Sequence, residues 1–261
     1  MPIANVPTID ISPLFGSNID EKFTVAKQID AACRDTGFFF AKNHGVKILN
    51  DFFNTVDHFH QNITNDEKWE MAISAYKPEN TEHVLTGFYL PKKDVKTVQS
   101  FYIQNPNFNP GHSLIQAKTP LHEINVWPNP NKYPHFREMV EKFYCEGFKV
   151  SEALLHVANL QVETPNGYQD IEASDDSFLV NGGKFLELIS SGYYKAPLHR
   201  VKYVNSERLS LPFFVHLAYD SKVEAASPED TDKSDGEKKT YQYGTFFQNE
   251  RLELIRKNGQ T

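Results

Sequence analysis

Val150-Ser-Glu-Ala-Leu-Leu-His156-Val-Ala-Asn-Leu-Gln-Val-Glu-Thr164-Pro-Asn-Gly167 is the stretch where the chain changes texture. Upstream of it, Pro134 opens a long helix. Phe136, Val140, Phe143, Gly147, Val150, Leu154 and Val157 recur there at steps of three and four, the spacing that lines one helical face. Downstream, Leu160 and Val162 alternate, Pro165-Asn166-Gly167 turns the chain, and 168–173 returns as the second arm of a hairpin. Segments 178–180, 185–189, 198–204 and 211–217 read as further strands. Helices followed by strands point to an α+β protein. The junction itself is abrupt. The helix reaches His156 and the strand starts near Ala158 with no Gly, Pro or polar turn between them, although helix-to-strand connections normally need a stop and a few residues. Such a seam suggests missing chain.

Toward the N-terminus, 6–11 alternates like a short strand until Ser12-Pro13 breaks it. Asn18, with Glu21 three residues on, caps a helix carrying Phe23, Ala26, Ile29 and Cys33 at helical spacing, and Gly37 stops it. Segment 38–41 reads as a buried strand closed by Asn43-His44-Gly45. A second helix bears Phe52, Val56, Phe59 and Ile63 on one stripe. Thr64-Asn-Asp-Glu67 is a capping box for a third, with Trp69 and Ile73. Residues 77–130 read as loops and short strands. Residues 221–240 are charged and almost free of apolar side chains, hence an expected mobile loop, and 241–257 forms a last helix.

Composition narrows the function. The 261 residues hold 27 Lys+Arg against 34 Asp+Glu, a net charge of −7, and the mean hydropathy is −0.52. A net anion disfavours nucleic acid and anionic membrane as main partners. No apolar run is long enough for a membrane span. The first ten residues carry neither a basic segment nor an apolar one, so no signal peptide is expected. Two cysteines, Cys33 and Cys145, cannot build a disulfide framework. A cytoplasmic globular protein is expected.

Ten histidines make metal binding the first chemistry to test. Non-haem iron oxygenases hold Fe(II) with two His and one carboxylate on one face, the carboxylate offsetting charge that imidazoles cannot. Their usual form is His-x-Asp/Glu plus a distant His. Two residues beyond each histidine stand Val46, His60, Asn62, Leu85, Leu114, Ile124, Arg137, Ala158, Val201 and Ala218, none acidic. No His-Glu-x-x-His occurs either. His58-Phe59-His60 reads as two histidines flanking a core Phe59, Cys33 as a small buried hydrophobe, and Gly182-Gly183 as a bend. His199 lies on an expected strand, and Arg208 and Ser210 share one face of the next, a spacing that suits a carboxylate clamp. Taken alone, such residues more often face solvent than form a site.

Longer stretches connect these residues. Val-Pro-Thr-Ile-Asp-Ile-Ser-Pro-Leu-Phe (6–15), Asp-Thr-Gly-Phe-Phe-Phe-Ala-Lys-Asn-His-Gly (35–45) and Tyr-Tyr-Lys-Ala-Pro-Leu-His-Arg-Val (193–201) together resemble the isopenicillin N synthase family. So do Asn-Pro-Asn-Phe (105–108), Gln-Ala-Lys-Thr-Pro (116–120), Asn-Leu-Gln-Val-Glu-Thr (159–164), Leu-Pro-Phe-Phe-Val (211–215) and the closing Lys-Asn-Gly-Gln-Thr. The family lies within the Fe(II)/2-oxoglutarate dioxygenase superfamily, and the resemblance covers nearly the whole chain. It implies a distorted double-stranded β-helix (jelly roll) flanked by helices. In a single domain of 1–261, it makes 1–157 the helical and irregular part and 158–220 the jelly-roll remnant. It implies Fe(II), with ascorbate as an ancillary reductant. It also implies oxidative closure of both rings of isopenicillin N from a small peptide, aminoadipoyl-cysteinyl-valine, without 2-oxoglutarate. By motif match His199 and Gln260 are the metal residues, Arg208 and Ser210 hold the valine carboxylate, and Tyr89 contacts substrate.

Two departures stand out. The family carries a helix and strands between the equivalents of His156 and Val157, including the His-x-Asp that supplies two iron ligands. That block is absent here, so one of three ligands remains and the jelly roll is expected to be incomplete. The family's arginine for the aminoadipoyl carboxylate falls where this chain has Leu85, and an aliphatic side chain cannot replace a bidentate partner. Three readings follow: an impaired iron oxidase, a non-catalytic shortened paralogue or gene-model artefact, or a 2-oxoglutarate-dependent dioxygenase with another substrate.

Overall fold

The computed structural model describes residues 6–90, 99–155, 176–194, 196–197, 199, 209–225 and 239–259. The first half contains β1 (Thr8–Asp10), α1 (Ile19–Asp35), β2 (Phe38–Lys42), α2 (Leu49–Asn62), α3 (Asn65–Glu70), β3 (Gly87–Tyr89), β4 (Ser100–Tyr102) and the single turn α4 (Ser113–Gln116). There follow α5 (Phe136–Leu155), β5 (Phe178–Asn181), α6 (Lys184–Ile189), β6 (Lys222–Glu224), β7 (Thr240–Gln242) and α7 (Tyr243–Gly259). The protein is thus helix plus sheet, in two compact units: Met1–Gly45 with Lys149–Thr261, and Val46–Phe148.

In the first unit, β2 lies between parallel β1 and antiparallel β5, with Phe40 opposite both Thr8 and Leu179. The Asn18 side chain accepts from the backbone of Asp20 and Glu21 at 3.1 and 3.4 Å and donates to Glu21 at 2.9 Å. These contacts satisfy donors that the first helical turn of α1 leaves open. The face of α1 that turns inward carries Val25, Ile29, Ala32 and Cys33. Phe23, expected on that stripe, is 63% exposed. Ile29 and Cys33 belong to both phases, and the alternative phase through Val25 is the one that packs. Gly37 ends the helix at φ +74°, the left-handed conformation that glycine adopts without strain. Its N–H reaches back to the Ala32 carbonyl.

Three segments expected as β or loop differ. Residues 185–189 belong to α6, not to a strand, and Gly183 caps it through a carbonyl that accepts from Leu186 and Glu187. Lys-Phe-Leu-Glu-Leu-Ile consists mostly of good helix formers, with apolar residues at 185, 186, 188 and 189, so helical spacing was present in the run. Residues 211–217 pair in no ladder among the described residues and leave Phe214, Val215 and Leu217 exposed. The expected loop 221–240 begins and ends in paired strands, β6 against β7, and α7 starts at Tyr243.

The second unit packs around α2. Phe59 is fully buried, as expected for the centre of His58-Phe59-His60. Its ring meets Phe136 at 4.2 Å, Tyr133 at 5.1 Å and Phe101 at 5.6 Å. Phe52 stacks on Phe143 at 3.9 Å. The Thr64 capping box is formed in both directions. Trp69 on α3 is nevertheless 45% exposed, and Ile73 is buried just beyond the helix. No helix among the described residues is long and apolar enough to cross a membrane.

Candidate functional site

The turn before β3 is densely hydrogen-bonded. Three consecutive backbone N–H groups converge on the carboxylate of Glu123. Those of Val84 and Leu85 donate to Oε1 at 3.1 and 3.0 Å, and those of Leu85 and Thr86 to Oε2 at 3.0 Å each. The Thr86 hydroxyl adds a further bond to Oε2 at 3.0 Å. Such a concave run of N–H groups is a natural seat for an anion, and here the anion is internal. Glu123 is itself tied back, its N–H donating to Gln104 Oε1 at 3.1 Å. Gln104 and Asn125 exchange two more bonds, at 2.7 and 2.9 Å. The buried Leu85 therefore presents an aliphatic side chain on a backbone whose donors are already engaged.

Two residues on, Gly87 holds φ +122°, and a Cβ there would stand 2.3 Å from the Met71 carbonyl oxygen. Only glycine lets Phe88 N–H reach that oxygen at 2.8 Å while Ile73 N–H reaches the Phe88 carbonyl at 3.1 Å. Tyr89 follows at the end of β3, half-buried, its hydroxyl donating to the Leu85 carbonyl at 3.2 Å. The same unit has an open cleft of about 340 Å³, lined in part by His58, Lys132, Tyr133 and His135. Lys132 is held there by Glu67 at 2.7 Å. That ammonium, with the Thr64 backbone N–H, draws the Glu67 carboxyl down to about 2.

In the other unit, His199 is exposed. Its Nδ1 lies 3.0 Å from the Pro197 carbonyl, and its ring meets Phe38 edge-on at 6.0 Å. An Nδ1–H donated to a carbonyl leaves the lone pair on Nε2, the tautomer of a metal-ligating histidine. Ser210 is also exposed, and no hydrogen bond joins it to His199 among the described residues. Arg208 and Gln260 lie outside the described residues.

Two further histidines of this unit are accounted for by packing. His44 is buried, stacks on Phe178 at 4.3 Å, and has its pKa lowered mainly by that burial. His216 Nδ1 bonds the Tyr243 hydroxyl, and burial pushes the Tyr243 phenol up to about 12.

One donor in the right tautomer does not make a ferrous site. Among the described residues, no three His, Cys, Asp or Glu side chains come together. Along the whole sequence, no histidine precedes an acidic residue by two. Among the described residues, then, no His, His, carboxylate set of a non-haem iron centre is assembled.

Comparison with known proteins places the chain. Residues 6–130 match the family described as non-haem dioxygenase in morphine synthesis N-terminal, and residues 150–217 match the 2OG-Fe(II) oxygenase superfamily. The isopenicillin N synthase of Penicillium rubens is 42% identical over 331 aligned positions, covering 100% of this chain and 99% of that protein. The chain belongs to the isopenicillin N synthase family. Another of its members, from Hapsidospora chrysogena, is 37% identical over 334 positions, covering 100% of this chain and 98% of that one. Alignments this long on 261 residues mean that the relatives carry positions this chain lacks. The family's wider fold is also matched by solved structures. A full-length Neurospora crassa protein in complex with alpha-KG aligns with a TM-score of 0.67 at 18% identity, over 97% of this chain and 95% of that one. A 2OG-Fe(II) oxygenase family protein from Caulobacter crescentus aligns with a TM-score of 0.68 at 15% identity, over 96% and 99%.

Sequence reasoning missed Glu123, Gln104 and Asn125. Glu123 is 38 residues from Leu85, and nothing in the local spacing of an isolated Glu announces that it will fill a turn.

Proposed function

We propose that this chain is an isopenicillin N synthase-type polypeptide with an incomplete iron centre, which does not itself close the rings of aminoadipoyl-cysteinyl-valine. One observation carries the reading: no His-x-Asp or His-x-Glu exists anywhere in the sequence, and no group of three His, Cys, Asp or Glu side chains forms at His199 among the described residues. Its Nε2 and the Gln260 amide would have to compete with full hydration of a weakly binding first-row ion. Altering even an outer partner of a metal ligand costs such sites roughly tenfold to a hundredfold in affinity. Losing a histidine and the charge-neutralising carboxylate costs more. The missing positions fall at the seam between His156 and Val157, and with them go strands of the jelly roll. Phe214, Val215 and Leu217, exposed and in no ladder among the described residues, support a loss of strands, since strands deprived of neighbours leave open edges. Arg208 and Ser210 remain as the clamp for a peptide carboxylate, and Tyr89 as a substrate contact, in a cytoplasmic setting.

Oxygen consumption tests this. With Fe(II), ascorbate and the tripeptide, the chain takes up no oxygen above the protein-free rate. A version carrying the relatives' His-x-Asp segment at the 156/157 junction takes up oxygen when the tripeptide is added. Turnover by the unaltered chain would overturn the proposal. Leu85, in the place expected for a carboxylate-binding arginine, favours a second reading with a different substrate. Uptake stimulated only by 2-oxoglutarate would select it.

A further inference from the structure

We infer that Glu123 is the positioning residue for Tyr89: its carboxylate, seated on the N–H groups of Val84, Leu85 and Thr86, fixes the turn whose Leu85 carbonyl receives the Tyr89 hydroxyl. The inference rests on the proposed contact of Tyr89 with substrate. Both Glu123 oxygens are used, and every bond to them is 3.0 or 3.1 Å long. Charge-assisted bonds of this kind are about twice as strong as neutral ones. Thr86 is fully buried. Its hydroxyl proton goes to Glu123 at 3.0 Å in preference to the Ile124 carbonyl at 3.4 Å, so the nearby His83 Nδ1, at 3.3 Å, is the donor to Thr86.

The turn is thereby held from Val84 to Thr86, and the rigid Gly87 contact with Met71 holds the next residue. Within that frame the Leu85 carbonyl has one orientation, and it receives Tyr89 at 3.2 Å. Without the carboxylate, the buried N–H groups of Leu85 and Thr86 must find other acceptors. The cheapest way is to rotate the Leu85–Thr86 peptide, which turns the Leu85 carbonyl away from Tyr89. A carboxylate supplied from solution can refill the vacated seat.

The test follows the Tyr89 phenol carbon by NMR in the full chain labelled at tyrosine Cζ, with the signal assigned by Tyr89→Phe. In Glu123→Ala the Tyr89 signal is expected to shift, and added formate to return it toward the wild-type position, whereas chloride at equal ionic strength does not. Glu123→Gln keeps the side-chain shape but turns an amide donor toward N–H donors. It is read in the same way if the alanine variant fails to fold, and is expected to shift the signal too. A Tyr89 signal left in place in a folded variant, or a shift that formate does not reverse in Glu123→Ala, overturns the inference. Titrating the wild-type chain with the tripeptide reads the substrate contact separately. An unmoved Tyr89 signal there removes that contact and the positioning role, while a formate-reversible shift still identifies the brace.

Discussion

Replacing Gly87 by alanine is the sharpest test of the turn that leads into β3. The added Cβ would lie 2.3 Å from the Met71 carbonyl oxygen, a backbone atom that cannot swing aside. It would also force an L-residue to φ +122°. Holding a residue in such a sparsely populated region costs about 1–3 kcal/mol. Separating the strands enough to admit the methyl group breaks the bond from Phe88 N–H to Met71 O, now 2.8 Å. A buried donor left without its acceptor adds about 1–3 kcal/mol. The sum, roughly 2–6 kcal/mol, is a large part of the 5–15 kcal/mol that typically holds a domain together. Both tryptophans, Trp69 and Trp127, lie in the unit Val46–Phe148, so urea unfolding followed by tryptophan fluorescence reports on it. Gly111→Ala in the same unit is the control. Its Cβ would meet only the Asn109 side-chain oxygen at 3.2 Å, which can rotate, and the position does not require positive φ. It should cost less than about 1 kcal/mol. If Gly87→Ala unfolds within about 1 kcal/mol of Gly111→Ala, the reasoning about this close approach is refuted.

Two titrations follow from the same structure. Glu67 has its carboxyl lowered from 4.5 to about 2 by Lys132 and the Thr64 backbone. A depressed folded-state value means that its stabilisation is present above 4.5 and is lost as pH falls toward 2. Thermal midpoints measured from pH 6 to 2 should therefore fall less steeply for Glu67→Gln and for Lys132→Met than for the wild type; parallel curves would contradict the pairing. Tyr243 behaves in the opposite sense. Burial raises its phenol from 10.0 to about 12, so its contribution is intact below pH 10 and is lost as pH rises through about 12. Tyr243→Phe should remove that alkaline loss and, by breaking the bond to His216, lower the midpoint at neutral pH.

What could be read from the residues was what local chemistry decides. Asn18 and Thr64 cap helices because a short polar side chain before an apolar-periodic run has donors waiting for it. Gly37 stops α1 for an equally local reason. The inward face of α1 is ambiguous in the sequence because two phases share Ile29 and Cys33, and only packing chooses between them. The run 185–189 was legible as either element, since short apolar segments carry both periods and the strong helix formers Leu186, Glu187 and Leu188 tipped it. At the candidate site, absence was legible: ten histidines, none followed at the right spacing by an acid. The Glu123 seat was not. Its partners lie 37 to 39 residues away, and only the folded chain brings three N–H groups onto one carboxylate.

The proposal of an incomplete iron centre is tested most directly by anaerobic calorimetric titration of the purified full chain with Fe(II). The donor set predicts no stoichiometric binding at micromolar concentration, and no difference between the wild type and His199→Ala. One-to-one binding in the micromolar range or tighter, abolished by His199→Ala, would show that an acidic group and another imidazole complete the site after all.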